Sequence, residues 1–135
     1  MGGGDMPEMR YRVLVIDDEE LVIRSFARVL GRDHHVTALL CAKDALGRMA
    51  SGETWDVILC DMQMPDMDGA QFLEQLERIR PELTPRLVFI TGGAFTPRMQ
   101  SFLERNTRPI VLKPVEPDAL RAVVNQVAAG LAPSE

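Results

Sequence analysis

The feature that most constrains the fold is a set of short apolar runs that recur along the chain. Each is three or four residues long, rich in β-branched residues and apolar on both faces; they are residues 13–16, 57–60, 87–90 and 110–112. Such runs are typical of the central strands of a parallel sheet that helices cover on both sides. A weaker fifth candidate, residues 35–39, is predicted to be an edge strand.

Segments with helical periodicity separate these runs. Their apolar faces are Val22, Phe26, Val29 and Leu30; Phe72, Leu73, Leu76 and Ile79; and Leu120, Val123, Val124 and Val127. Gly31 is predicted to end the first helix in a left-handed conformation. Pro97 and Pro117 suit first helical turns, and a further helix is predicted near residues 42–50. The alternation predicts an α/β fold, a doubly wound five-stranded parallel sheet with helices on both faces.

Composition narrows the class of protein. The net charge is −5, with no block of Lys or Arg that would neutralise nucleic-acid phosphates. No apolar stretch approaches the roughly 20 residues that span a bilayer, and the amino terminus lacks a secretory core, so the expected location is cytoplasmic. Cys41 and Cys60 lack the spacing of a metal site. Residues 1–10 are predicted to be a flexible leader or linker, 11–130 one domain and 131–135 a flexible tail.

Polar residues follow every strong run. Asp17 and Asp18 follow the first, Asp61 the second, Thr91 the third and Lys113 the fourth. Because the carboxyl ends of parallel strands border one crevice, these side chains are expected to meet there. Taken singly, each has a structural alternative, such as a helix N-cap or a solvated loop residue. The same pattern at all four strand ends favours a functional site.

The charges in this predicted cluster point to a metal and a phosphoryl group. Three carboxylates and one lysine remain net negative, and Mg²⁺ is the cation that such hard oxygen ligands suit best. Asp61 is the candidate nucleophile that would form an acyl phosphate. Thr91 would donate a hydrogen bond to the phosphoryl oxygens, and Lys113 would pair with them as a point charge.

These residues lie in motifs that resemble those of response-regulator receiver domains of two-component signalling, in the family's order and spacing. The motifs are Ile16-Asp17-Asp18-Glu19; Asp61-Met62-Gln63-Met64-Pro65 followed by Asp68-Gly69; Thr91-Gly92; and Lys113-Pro114. The resemblance covers about residues 11–130 and implies a flavodoxin-like (βα)5 fold. The segment from Thr91 to Pro97 resembles receivers of hybrid histidine kinases, and whether the domain stands alone or belongs to such a kinase stays open.

The resemblance also implies roles. Asp61 would accept a phosphoryl group from a phosphohistidine of a sensor histidine kinase or a histidine phosphotransfer protein. Asp18 and Asp61 would bind Mg²⁺ directly, Asp17 would act through water, and the backbone carbonyl of Gln63 would complete the protein ligands. A cis peptide between Lys113 and its proline is implied too. Such a domain is a self-catalysing phosphoacceptor with slow autodephosphorylation, not a turnover enzyme, and it controls a partner or an attached domain.

One position departs from the commonest family pattern. Many receivers carry Tyr or Phe three residues before the lysine, where this chain has Ile110. We therefore hypothesise that the signal leaves through the loop and helix after Thr91, about residues 92–104. Beside the site, Gln63 is predicted to orient or obstruct the water that hydrolyses the acyl phosphate, so Gln63→Ala should change its lifetime.

Other classes of protein and site fit these residues less well. An enzyme of haloacid-dehalogenase type would carry a second Asp two residues after the nucleophile, where Gln63 stands. A receiver that binds partners without phosphorylation is disfavoured by the complete residue set, and a P-loop motif is absent. The sequence after Asp61 matches a calcium loop only in part. Met62, Met64 and Met67 are expected to pack in the loop, and His34-His35 to form a solvated turn.

Overall fold

The computed structural model describes residues 10–93 and 96–130. Within these ranges strands and helices alternate along the chain. Their bounds are β1 Arg12–Ile16, α1 Glu20–Leu30, β2 His35–Leu39, α2 Ala42–Ala50, β3 Val57–Asp61, α3 Gly69–Ile79, a 3-10 helix Pro81–Arg86, β4 Leu87–Thr91, α4 Pro97–Arg105, β5 Ile110–Leu112 and α5 Pro117–Gly130. The predicted alternation is therefore confirmed.

The strands form one parallel sheet in the order β2-β1-β3-β4-β5. Val13 of β1 pairs with Val57 of β3, and Asp61 at the end of β3 pairs with Ile90 of β4. The carboxyl ends of these three neighbouring strands consequently lie side by side. The predicted fold class, a doubly wound five-stranded parallel sheet, is confirmed.

Side-chain alternation along the strands divides the core into two layers. One layer joins the sheet to α2, α3 and α4, and its largest buried members include Leu14, Ile16, Ile58, Phe72, Leu76 and Phe89. The other joins the sheet to α1 and α5 and includes Val13, Val15, Phe26, Leu59, Val88 and Val124. Burial on both faces explains why the central runs are continuously apolar.

Local sequence sets where two of the helices begin. The Asp68 carboxylate accepts a hydrogen bond from the Gln71 backbone N–H at 2.8 Å, and the Gln71 side chain accepts one from the Asp68 N–H at 3.0 Å. This reciprocal cap starts α3. Thr96 caps α4 through its hydroxyl, and Pro97 takes the first helical position as predicted.

Two sequence predictions about local structure were wrong. Residues 110–112 form an edge strand rather than a covered central one, so Ile110 and Leu112 are 38% and 60% exposed. Gly31 is right-handed, with φ −68°, and its N–H donates to the Ala27 carbonyl. A Cβ on Gly31 would lie 2.5 Å from that oxygen, so this position favours glycine because the backbone passes close.

The structure also corrects the expected solvated turn at the two histidines. His34 is buried, and its Nδ1 accepts a hydrogen bond from the Tyr11 backbone N–H. Burial lowers the pKa of His34 below its ordinary value. Met62 and Met64 are buried, as expected of packing residues, and Cys60 is a buried free thiol.

Some sequence predictions lie beyond what the structure describes. Most of the predicted leader, the tail at 131–135 and residues 94–95 of the loop after Thr91 are outside the described residues. Among the described residues, no helix is both long enough and apolar enough to cross a membrane.

Candidate functional site

Three carboxylates meet at the carboxyl edge of the sheet. Asp17 and Asp18 follow β1, and Asp61 ends β3. One carboxylate oxygen from each lies within 4.8 Å of one from each of the others. Asp17 and Asp61 are buried and Asp18 is exposed. The proximity predicted from the strand ends is therefore confirmed for all three acids.

Lys113 brings the positive charge to this cluster. Its Nζ lies 3.0 Å from Asp17 Oδ2, 3.6 Å from Asp61 Oδ1 and 3.3 Å from Glu19 Oε1. The Lys113 backbone N–H donates to the Thr91 carbonyl, which ties the end of β5 to β4. The peptide bond between Lys113 and Pro114 is cis, as the family resemblance implies.

Asp17 is held at both carboxylate oxygens. Oδ1 accepts a hydrogen bond from the Glu19 backbone N–H at 2.9 Å, and Oδ2 pairs with Lys113. The two contacts fix the orientation of the Asp17 carboxylate. An acid already engaged in this way suits the outer, water-mediated role that the resemblance implies for it.

Thr91 ends β4 next to the strand that carries Asp61. Its side chain is fully buried, and its Oγ1 accepts a hydrogen bond from the Gly93 backbone N–H at 3.1 Å. A threonine hydroxyl has one hydrogen to donate in addition to its acceptor lone pairs. This contact uses Thr91 as an acceptor and links the strand end to the loop that leads to α4.

Gln63 lies in the loop that leaves Asp61. Its backbone N–H donates to Asp61 Oδ1 at 3.4 Å, a long hydrogen bond. This contact places the start of the loop against the carboxylate. The predicted metal ligation by the Gln63 carbonyl stays a prediction.

The surroundings of Asp61 favour its neutral form. Burial, followed by the negative charge of Asp17, raises the pKa of Asp61 to about 6, and the charge of Lys113 offsets only part of this. Burial lowers the pKa of Lys113, but the hydrogen bond to Asp17 and the charge of Asp61 outweigh it, so the pKa is raised overall. The site therefore holds more negative charge than one lysine compensates.

The donor set fits a hard divalent cation. Clustered carboxylate oxygens with room for water and a phosphoryl oxygen are the usual surroundings of Mg²⁺ in proteins. The exposure of Asp18 leaves this cluster open to solvent on one side. The residues present therefore fit the predicted magnesium ion.

Glu19 is a site residue whose role was not predicted from the sequence, although it lies in the motif Ile16-Asp17-Asp18-Glu19. Glu19 contributes its backbone N–H to Asp17 and its carboxylate to Lys113. The one feature of the sequence that could have indicated this role is the position of Glu19 directly after Asp17 and Asp18. Asp18, for which a capping role was the alternative, is not the N-cap of α1, because Glu19 occupies that position without a side-chain capping bond.

A shallow, largely apolar groove of about 520 Å³ lies beside Lys113. Its walls come from α1 and from the segment after β5; they include Leu21, Val22, Phe26, Pro114 and Val115. Leu21 is 78% exposed, the highest value among the large exposed hydrophobic side chains of the described residues. The groove therefore offers apolar surface directly at the rim of the acidic cluster.

The sequence of this chain is similar to those of known proteins. The family model described as the response regulator receiver domain matches residues 13–125. Aerobic respiration control sensor protein ArcB of Escherichia coli (strain K12) is 32% identical over a 126-residue alignment that covers 90% of this chain and 16% of ArcB. Hybrid signal transduction histidine kinase L of Dictyostelium discoideum is 27% identical over a 128-residue alignment that covers 90% of this chain and 8% of the kinase. The chain thus spans only a small part of either relative.

Solved structures show the same fold. A signal receiver domain of a signal transduction histidine kinase from Syntrophus aciditrophicus superposes with a TM-score of 0.78 at 22% identity, covering 93% of this chain and 95% of that one. A response regulator receiver domain protein from Clostridium thermocellum gives 0.75 at 22% identity, covering 89% and 95%.

Proposed function

This chain belongs to the response regulator receiver domain family of two-component signalling, and we propose that Asp61 is its phosphoacceptor. Members of this family are phosphoacceptors rather than turnover enzymes. We assign residues 11–130 to the receiver domain, with 1–10 as leader or linker and 131–135 as a tail. The family match over residues 13–125 supports these bounds.

The observation that carries the proposal is the convergence of Asp17, Asp61 and Lys113 from three different strand ends. Lys113 Nζ lies within 4.0 Å of both carboxylates, and Asp18 completes the acidic cluster. A structural ion pair would need only one acid and one base. A nucleophile flanked by further acids and a lysine is what in-line phosphoryl transfer requires.

In the proposed reaction, a carboxylate oxygen of Asp61 attacks the phosphorus of a phosphohistidine. The new O–P bond forms while the P–N bond breaks, and the imidazole leaves with the electron pair of that bond. Lys113 pairs with a phosphoryl oxygen, and the Thr91 hydroxyl donates a hydrogen bond to another. A Mg²⁺ ion held by Asp18, Asp61 and the Gln63 carbonyl, with Asp17 acting through water, would neutralise charge on the transferring group.

The same residue types suit the haloacid-dehalogenase reaction, which hydrolyses the acyl phosphate in multiple turnovers. The family match argues against that alternative. So does Gln63, which stands where such an enzyme carries its second aspartate. Slow autodephosphorylation of Asp61 is the outcome we propose instead.

The phosphodonor is proposed to be a sensor histidine kinase or a histidine phosphotransfer protein. The groove beside Lys113, with exposed Leu21 at its rim, supports this, since a protein donor must cover apolar surface while bringing its histidine to Asp61. The negative net charge gives no support to direct nucleic-acid binding. We also propose a cytoplasmic location, no membrane partner and a switch in the surface formed by Thr91 and α4 that controls a partner or attached domain.

Phosphorylation is tested with acetyl phosphate and with beryllofluoride, each with and without Mg²⁺. With Mg²⁺ only, the wild-type chain should gain one phosphoryl group from acetyl phosphate and bind one beryllofluoride, which mimics that group, and Asp61→Asn should do neither. Asp118→Asn removes a 99% exposed carboxylate and serves as the matched control that should behave as wild type. Magnesium-dependent modification of Asp61→Asn at the wild-type level would overturn the proposal.

The donor surface is tested by separating protein from small-molecule donors. Leu21→Ala should slow transfer from a phosphorylated histidine kinase and leave the rate with acetyl phosphate unchanged. Ile79→Ala is the control, because Ile79 is also exposed but ends α3, near the amino ends of the strands and away from the site. Equal transfer rates from the kinase to Leu21→Ala and to wild type would contradict the assigned surface.

A further inference from the structure

The ammonium group of Lys113 is already shared among three carboxylates. Its Nζ pairs with Asp17 at 3.0 Å, Glu19 at 3.3 Å and Asp61 at 3.6 Å. A lysine ammonium has three hydrogens to donate. Asp17 and Glu19 lie within hydrogen-bond distance of Nζ, and Asp61 lies within ion-pair distance. A phosphoryl oxygen that pairs with Nζ therefore competes with carboxylates that are already there.

The three partners differ in how easily they can release Lys113. The side chain of Asp17 is 3% exposed and is held at its other oxygen by the Glu19 backbone N–H. The side chain of Asp61 is 6% exposed and carries the phosphoryl group itself. Only Glu19, with 61% side-chain exposure, can return its charge to water at little cost.

Resting on the proposed phosphoacceptor role of Asp61, we propose that Glu19 is a positioning residue that occupies Lys113 before phosphorylation and is displaced from it by the phosphoryl group. Asp17 keeps its contact with the ammonium group in both states. Phosphoryl binding and the Glu19 ion pair are then in competition for the same hydrogens. The strength of the pair tunes how firmly the phosphorylated state is held.

The position of Glu19 in the chain supports this role. Glu19 is the N-cap residue of α1, and its side chain makes no capping hydrogen bond there. Its backbone carbonyl nonetheless accepts from the Val22 and Ile23 N–H groups. The backbone therefore starts the helix, while the carboxylate is directed to Lys113.

The test measures the affinity of beryllofluoride for the whole chain at saturating Mg²⁺. Glu19→Gln should bind about two to five times more tightly than wild type, since an exposed ion pair is weak. Glu19→Asp, which keeps the charge on a shorter side chain, should lie between the two. Glu20→Gln is the matched control, because Glu20 is the neighbouring exposed acid that begins α1. It should change the affinity less than Glu19→Gln does.

Equal affinity of wild type and Glu19→Gln would overturn the inference, and so would equal gains in Glu19→Gln and Glu20→Gln. An affinity of Glu19→Asp between those of wild type and Glu19→Gln would support it, since the charge is kept but its reach to Lys113 is shortened. Failure of the proposed function has a different signature, namely a wild-type chain that binds beryllofluoride no better than Asp61→Asn does. The two failures are therefore distinguishable in one set of titrations.

Discussion

Lys113 Nζ lies 3.0 Å from Asp17 Oδ2, although β3 and β4 separate their strands in the sheet. The lysine side chain thus reaches back from the edge strand across the carboxyl ends of two others. Asp61 ends β3, one of the strands crossed, and its Oδ1 lies 3.6 Å from the same Nζ. The ammonium group of Lys113 therefore pairs with the acids of both β1 and β3.

The raised pKa of Asp61 predicts a pH-dependent cost to stability in the metal-free protein. Because the folded pKa is about 6, above the ordinary value of 3.8, the folded state holds this proton more tightly than the unfolded state. Stability from this group is complete below about pH 4 and is lost as the pH rises through 6. Asp61→Asn should therefore raise the free energy of unfolding by about 3 kcal/mol at pH 8. The gain should disappear at pH 4 in chemical denaturation, and a gain independent of pH would contradict the assignment.

Magnesium should stabilise the fold because it binds the assembled acids and not the unfolded chain. At about ten times its Kd, Mg²⁺ should raise the free energy of unfolding by about 1.4 kcal/mol. The increase should be largely lost in Asp18→Asn and kept in Asp118→Asn. Trp55, the single tryptophan, is buried before β3 at the end of the sheet opposite the site, so its fluorescence reports global unfolding. Full magnesium stabilisation of Asp18→Asn would remove that residue from the metal site.

Gly69 and Gly47 predict opposite effects of the same substitution. A Cβ on Gly69 would lie 2.5 Å from Met62 Sδ and 3.0 Å from Phe89 Cε1, so Gly69→Ala should lower the free energy of unfolding by about 1–3 kcal/mol. Nothing lies within 4 Å of a Cβ on Gly47 inside α2, so Gly47→Ala should raise it by about 0.5–1 kcal/mol. Urea denaturation measures both, and a neutral Gly69→Ala would show that Met62 can move aside.

Thr91 predicts how the loop towards α4 responds to phosphorylation. Thr91→Val keeps the shape of the side chain but removes the oxygen that accepts from the Gly93 N–H, whereas Thr91→Ser keeps that oxygen. Amide exchange at Gly93 should be faster in Thr91→Val than in Thr91→Ser. We expect beryllofluoride to alter exchange over residues 96–104 in wild type and Thr91→Ser, but not in Thr91→Val. Unchanged exchange there in wild type would reject this exit route for the signal.

The sequence predicted most of the fold because the central strands are buried on both faces. A strand such as Val57–Asp61 must be apolar at nearly every position, and that pattern is visible without a structure. The same pattern gave a wrong prediction for the edge strand β5. Residues 110–112 are equally apolar, yet their place at the edge of the sheet comes from pairing with β4 alone. An apolar run shows that a segment can be buried in a sheet, but it does not show whether the strand has one neighbouring strand or two.

In the site, too, some features follow from the sequence and others only from the folded structure. The sequence by itself determined which side chains stand at the strand ends, since Asp17, Asp61, Thr91 and Lys113 each directly follow or end a strand and parallel strands bring those ends together. Only the tertiary structure decided how the charges are shared. The contact between Glu19 and Lys113 joins residues far apart in sequence, and the burial that raises the pKa of Asp61 comes from packing of the whole sheet. Distances of a few ångströms and exclusion of water set these interactions, and both exist only once the chain has folded.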